Sequence, residues 1–184
     1  AYVGDNKRIQ NWRELLNKYD AKATFFLSTN CFSAKNKELS KIKSQLKLLL
    51  KEKHEIGLHI HPDSDLALQI QLKERFQYNS AKFYDYNKIN QFIKTGKWLI
   101  QKNLKINPTS FRWGNWALNS DAVKALQVNG FKADSSATPG IKGHLNEGMH
   151  YDWSAVKEHY PWKLSLKEHQ NTKSQDSKVL EIPI

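Results

Sequence analysis

One cysteine, Cys31, stands in a chain of 184 residues, so no internal disulfide can form. A lone thiol suits a reducing compartment, which favours a cytoplasmic setting over an exported one. No apolar run reaches the roughly 20 residues that cross a bilayer, and the N-terminus carries no hydrophobic signal segment, so no integral membrane segment is expected. There is no glycine-rich phosphate loop and no nucleophile elbow. Internal repeats and low-complexity stretches are absent too. Acidic residues are few: 18 Asp and Glu face 29 Lys and Arg, for a formal net charge of +11. Such a balance suits nucleic acid, an anionic membrane or an acidic glycan. The lysines, however, are scattered (Lys41, Lys43, Lys47, Lys51 and Lys53 in one expected helix) and are not interleaved with aromatics along a stripe. That is the pattern of a solvated face, and no nucleic-acid partner is expected. Nothing in the pattern assigns an oligomeric state.

What is present suffices for one domain with a core: 39% apolar residues, with six Trp, seven Tyr and eight Phe, leaving aromatics for a cleft. Helices are expected over 5–19 (Ile9, Trp12, Leu15 and Leu16 on one face), 37–53 (Leu39, Ile42, Leu46 and Leu49 inward), 65–79 and 87–103 (Ile89, Phe92, Ile93, Trp98, Leu99 and Ile100 on one side), and over 121–128 with Ser120 as N-cap. Strands are expected at 23–27, 55–59, 110–113, 131–134 and 178–182, with a polar loop over 28–36 and an irregular stretch over 137–160. Strands alternating with helices imply an α/β fold of parallel strands and crossover helices. Such folds gather their chemistry at the carboxyl ends of the strands. Polar groups stand at four of them: Ser28-Thr29-Asn30, His59 to Asp63, Arg112 to Trp116, and Asp134-Ser135-Ser136.

The densest cluster is His59-Ile60-His61-Pro62-Asp63. Imidazoles and a carboxylate together can hold a divalent metal. Positions i and i+2 of a strand share a face, and i and i+4 do so if the chain turns helical, so His59 pairs with either His61 or Asp63. His54 and Asp65 read as surface residues or a cap. Arg112, at the end of a buried strand, needs a carboxylate partner, and Asp152 is a candidate. That pair either pins two loops or orients a catalytic carboxylate. Trp113, Trp116 and Trp153 are candidates for stacking on sugar rings, with at least one of them expected in the core. Any of His144, His150, His159 and His169 could serve as a general acid, though each alone reads as a surface residue. Cys31 has no nearby histidine and is not read as a nucleophile.

Taken in order, these pieces resemble the polysaccharide deacetylases, the metal-dependent carbohydrate N-deacetylases that include chitin and peptidoglycan deacetylases. Lys22-Ala23-Thr24-Phe25-Phe26 looks like the family's second strand, His54 to His59 like its metal-histidine motif, and Phe111-Arg112 with Gly114, Trp116 and Leu118-Asn119 like its arginine motif. Gly130-Phe131 with Asp134-Ser135-Ser136, then Tyr151-Asp152-Trp153 and Leu180-Glu181-Ile182-Pro183, also fit.

The resemblance implies a distorted (β/α)7 barrel, a divalent metal (most often zinc) and hydrolysis of an N-acyl group on an amino sugar of a polysaccharide or its precursor. Carried over, His59 is the first metal histidine. The second belongs four positions on, where Asp63 stands, with His61 between. Arg112 matches the arginine that tethers the base, and Asp152-Trp153 the pair that supports it. The family's paired aspartates belong just before the residues that Ala1-Tyr2 resembles, and Asp5 is a poor replacement. Its leaving-group histidine belongs after the strand that ends at Ile182. The expectation is therefore a single deacetylase-like domain over 1–184, without its first strand and its C-terminal end. A glycan-binding pseudoenzyme of the same fold is the alternative. A basic nucleic-acid-binding domain, resting on charge alone, stands third.

Overall fold

A computed structural model describes residues 6–146 and 148–184. The chain alternates as the apolar periodicity requires: α1 (Asn6–Lys18), β1 (Thr24–Ser28), α2 (Asn36–Lys51), β2 (Glu55–Ile60), α3 (Leu66–Leu72), α4 (Tyr86–Leu104), β3 (Ser110–Trp113), α5 (Ser120–Val128) and β4 (Ala133–Asp134). A hairpin follows, β5 (Lys142–Asn146) with β6 (Met149–Asp152), and then β7 (Trp162–Lys163) and β8 (Leu180–Glu181). The main sheet runs β1-β2-β3-β4-β8-β7, parallel throughout except for the antiparallel β7–β8 pair.

The two faces of the sheet differ sharply. Ile56, Leu58 and Ile60 of β2 are buried. Leu58 and Ile60 face α4, whose Gly96 lets the helix settle on the strand: a Cβ there would lie 2.9 Å from Leu58 Cδ1. Helix α4 buries Ile89, Phe92, Ile93, Leu99 and Ile100 against this layer. The opposite face carries the polar row. In parallel pairing, matched residues point the same way, and the register Ser28↔His59↔Arg112 sets these three side chains side by side at the strand ends. No helix among the described residues is long and apolar enough to cross a membrane.

Several local expectations are corrected. Helix α3 is short, because Lys73 adopts a left-handed conformation (φ 56°) and closes it after about two turns. Asp65 is its N-cap, the second of its two readings, accepting from Leu68 N at 3.0 Å, and it is fully buried rather than at the surface. His54 is buried as well, with Nδ1 accepting from Ala23 N. The N-cap of α5 is Asn119, not Ser120; the Ser120 hydroxyl accepts instead from His169 N, tying a distant loop to the helix. Thr29–Ser33 forms a single-turn helix where a plain loop was expected. Trp98 on α4 is exposed, as are Trp12 and Leu15 on α1, which docks on α2 through the forked Arg13–Glu52 ion pair. The stretch expected to be irregular contains the β5–β6 hairpin. Ala1, Tyr2 and Asp5 lie outside the described residues, as does the side chain of His144.

Candidate active site

His59 is the last inward-facing residue of β2, and its neighbours fix its chemistry. Nδ1 lies 2.9 Å from the carbonyl oxygen of Arg112 on the adjacent strand. A carbonyl only accepts, so Nδ1 carries the proton and Nε2 keeps its lone pair. His61, two residues on, brings its Nε2 to 2.9 Å from His59 Nε2, with the rings 4.6 Å apart and nearly perpendicular. The Asn79 amide nitrogen sits 2.6 Å from His61 Nδ1 and donates to it. His61 therefore holds its proton on Nε2 and gives it to His59. Burial, then the neighbouring His61, push the His59 pKa down to about 3. Burial also lowers His61, against the pull of Asp63. Both rings are thus neutral at physiological pH, the form that binds a metal.

Two converging Nε2 atoms suit a divalent cation. Tetrahedral zinc with nitrogens near 2.0–2.1 Å holds them about 3.3 Å apart, so for a cation the observed 2.9 Å has to open by a few tenths of an ångström and His61 has to give up its Nε2 proton. Gly114 makes room for the second ring: a Cβ there would lie 2.6 Å from His61 Cε1. Asp63 does not join the pair. Its carboxylate accepts from Asn79 Nδ2 at 3.0 Å, and among the described residues no three His, Cys, Asp or Glu side chains gather as a metal-binding group. The residues present offer the two nitrogens of a metal site.

Arg112, beside His59, lies over the Phe26 ring with its guanidinium carbon 4.4 Å from the ring centroid. Its Nε donates to Ser135 O at 2.7 Å and Nη2 to Ser135 Oγ at 2.8 Å. Burial lowers its pKa, opposed by the charges of Asp134 and Glu181. These two, not Asp152, are the carboxyls that offset the guanidinium. Asp152 turns toward solvent and accepts from Ser154 Oγ at 2.6 Å and Ser154 N at 3.0 Å, which lower its pKa. The candidate Arg112–Asp152 ion pair is not among the contacts of the described residues; Ser154, just beyond the β5–β6 hairpin, claims the Asp152 carboxylate.

The three tryptophans separate cleanly. Trp113 and Trp153 are fully buried, their Nε1 atoms donating to Asn79 O and Trp116 O at 2.9 and 2.8 Å. They are core residues and offer no face to a sugar. Trp116 is 36% exposed and meets Tyr151 edge-on at 5.4 Å. His169 packs against Trp153 at 4.9 Å, its pKa lowered chiefly by burial. Sequence reasoning missed Asn79, Ser135 and Phe26. Asn79 lies in a segment that read as helix, and no motif marks it; Ser135 was quoted only within a strand-end triplet.

Comparison with known proteins follows the same lines. The polysaccharide deacetylase family model matches residues 3–133. Among solved structures, a protein from Mycobacterium smegmatis assigned as a polysaccharide deacetylase superposes with TM-score 0.62 at 15% identity, over 100% of this chain and 46% of its own. The Streptococcus pyogenes deacetylase PplD, solved with acetate, gives 0.52 at 18% identity, over 93% of this chain and 56% of its own. A de-N-acetylase from Aggregatibacter actinomycetemcomitans gives 0.50 at 17% identity, over 71% of this chain and 59% of its own. The chain thus spans about half the length of the structures it matches, which share its mostly parallel, barrel-like α/β fold. The comparison with curated proteins yields no match.

Proposed function

The chain belongs to the polysaccharide deacetylase family, and we propose that it forms part of a metal-dependent hydrolase that removes an N-acyl group, acetyl first of all, from an amino sugar of a polysaccharide or its precursor. The observation that carries this reading is the His59–His61 pair: two neutral imidazoles whose Nε2 atoms converge at 2.9 Å at a strand end. His59 and His61 would hold the cation, with zinc preferred because imidazole nitrogens suit it. When bound, a divalent cation acts as a Lewis acid on the amide carbonyl and lowers the pKa of water.

This chain's own residues do the rest. The Arg112 carbonyl fixes the His59 tautomer, and Ser135 holds the Arg112 side chain. With Nε and Nη2 engaged there, Nη1 is left to tether a catalytic carboxylate. Trp116, two residues after the Gly114 that packs on His61, offers the exposed aromatic face for the sugar. Asp152 is tied to Ser154 rather than to the arginine.

The experiment is acetate release from N-acetylated oligosaccharides by the full-length protein, before and after chelation, alongside elemental analysis. Zinc near one equivalent, activity lost on chelation and restored by zinc, and loss of both metal and activity in His59→Ala support the reading. Metal-free protein that binds the same oligosaccharides without turning them over supports the glycan-binding alternative, which the engagement of Asp63 by Asn79 rather than with the two Nε2 atoms favours.

A further inference from the structure

Asn79 is completely buried, and its backbone is held at both ends: N donates to Gly148 O at 3.1 Å, and O accepts from Trp113 Nε1 at 2.9 Å. That anchoring aims its amide at the histidine pair. Nδ2 spends its two protons on His61 Nδ1 (2.6 Å) and Asp63 Oδ1 (3.0 Å). Oδ1 is buried without a hydrogen-bond partner among the described residues. An orphaned carbonyl beside a ring whose tautomer the same amide dictates calls for an explanation, since leaving a buried acceptor unpaired is costly.

The protonation pattern supplies one. With Asn79 donating to Nδ1, the His61 proton sits on Nε2 and points at His59, so the atom that faces the cation position has no lone pair to give. For His61 to act as a ligand the proton must move to Nδ1, where it needs an acceptor. Asn79 carries that acceptor, unused, on the same amide.

We propose that Asn79 is the positioning residue that switches His61 between a resting form, with Nδ2 donating to Nδ1, and a cation-binding form, with Oδ1 accepting from Nδ1–H. The two forms differ by half a turn of the Asn79 amide. The rotation also brings Asn79 Oδ1 to the position from which Nδ2 now donates to Asp63 Oδ1; two acceptors then meet there, and the Asp63 carboxylate has to swing away. Outer-shell acceptors of this kind fix the tautomer of a ligating histidine and raise its affinity for metal. The proposal rests on the histidine pair being a cation site.

Two measurements on the full-length protein test it: long-range 15N–1H spectra of histidine-labelled protein, which report the proton-bearing nitrogen of each ring, and zinc affinity by competition titration. In the metal-free protein His61 should carry its proton on Nε2 and His59 on Nδ1, and zinc should move the His61 proton to Nδ1. Asn79→Ala should weaken zinc by about ten-fold or more, with the fold preserved by the backbone bonds. Asn79→Asp keeps an acceptor facing Nδ1, so it should place the His61 proton on Nδ1 before any metal is added and bind zinc more tightly than Asn79→Ala. Zinc bound by Asn79→Ala within about two-fold of wild type, or a metal-free His61 protonated on Nδ1 in the wild type, overturns the proposal and leaves the cation site standing. A wild-type protein that binds no zinc overturns the cation site itself, and the switch with it.

Discussion

Asp134 and Glu181 stand opposite each other in the parallel strands β4 and β8, both fully buried, their carboxyls within hydrogen-bonding reach. Asp134 accepts from the amide and hydroxyl of Ser136, and Glu181 Oε1 accepts from Ala137 N. Glu181 Oε2 meets no donor among the described residues. Burial first, then the charge of Asp134, pushes the Glu181 carboxyl well up. Burial raises Asp134 too, against hydrogen bonds from Glu181 and Ser136 and the charge of Arg112. A proton kept on Glu181 and donated to Asp134 satisfies both groups, and Arg112 balances the remaining charge.

The pair makes stability depend on pH with a definite sign. A carboxyl that keeps its proton above the ordinary range contributes fully at low pH, and the contribution is lost as pH rises toward the raised value. Glu181→Gln retains the Ala137 acceptor and a donor toward Asp134 without titrating. Its thermal midpoint should exceed that of the wild type at pH 8 by about 3 °C or more, with the gap closing toward pH 5. His59 and His61 act in the opposite sense, because their lowered pKa values cost stability as pH falls. The difference between variant and wild type, rather than either slope, therefore isolates Glu181. A gap that stays constant across the range would mean that Glu181 titrates as an ordinary carboxyl.

Arg112 joins this buried charge to the site. Replacing it with Ala leaves the Asp134–Glu181 pair without its counter-charge and Ser135 without two charged donors. Hydrogen bonds to charged groups contribute about 1.5–3 kcal/mol each, so Arg112→Ala should cost at least about 2 kcal/mol in urea unfolding. Arg112→Lys keeps the charge but cannot fork onto both Ser135 atoms, and should fall between the two. Wild-type stability in Arg112→Ala would detach the guanidinium from the carboxyl pair.

The α/β alternation was legible because hydrophobic period reports burial: Ile42, Leu46 and Leu49 of α2 turn inward as their spacing requires. His59 and His61 were legible as a pair because a strand places i and i+2 on one face. Asp152 was misplaced because a carboxylate next to a tryptophan says nothing of a Ser154 two residues on that captures it locally. Asn79 left no signal, since its role comes from backbone contacts to Gly148 and Trp113, both far away in sequence. The strand β7 is two residues long and antiparallel, below what periodicity can reveal. The carboxyl pair left no signal either: Glu181 and Asp134 lie 47 residues apart, and nothing in the sequence around Glu181 marks the burial that brings them together.

The tryptophans allow a clean separation of folding from binding. Trp113→Ala or Trp153→Ala empties a fully buried site and strands a carbonyl acceptor, and should cost about 3–5 kcal/mol in chemical denaturation. Trp116→Ala removes a half-exposed ring and should shift stability by about 1 kcal/mol at most. If Trp116 is the sugar platform, the same variant should weaken binding of an N-acetylated oligosaccharide by about ten-fold, as loss of a stacked aromatic does. Unaltered affinity in titration calorimetry would move the sugar elsewhere.

Gly114 tests the geometry of the histidine pair without touching either ring's chemistry. An added Cβ would lie 2.6 Å from both Cε1 and Nδ1 of His61, too close for the ring to stay. The backbone at Gly114 is not in the left-handed region, so Ala there is not strained by its own dihedral angles. The steric push alone has to be relieved, and the partly exposed His61 ring gives way more readily than the β3 backbone. Its displacement carries Nε2 away from His59 and breaks the 2.9 Å approach. Gly114→Ala should therefore remain folded, with a stability loss of about 1–2 kcal/mol, while zinc affinity falls by about ten-fold or more. A variant that binds zinc as tightly as the wild type would show that His61 supplies no nitrogen to the cation, leaving His59 to act with some other partner.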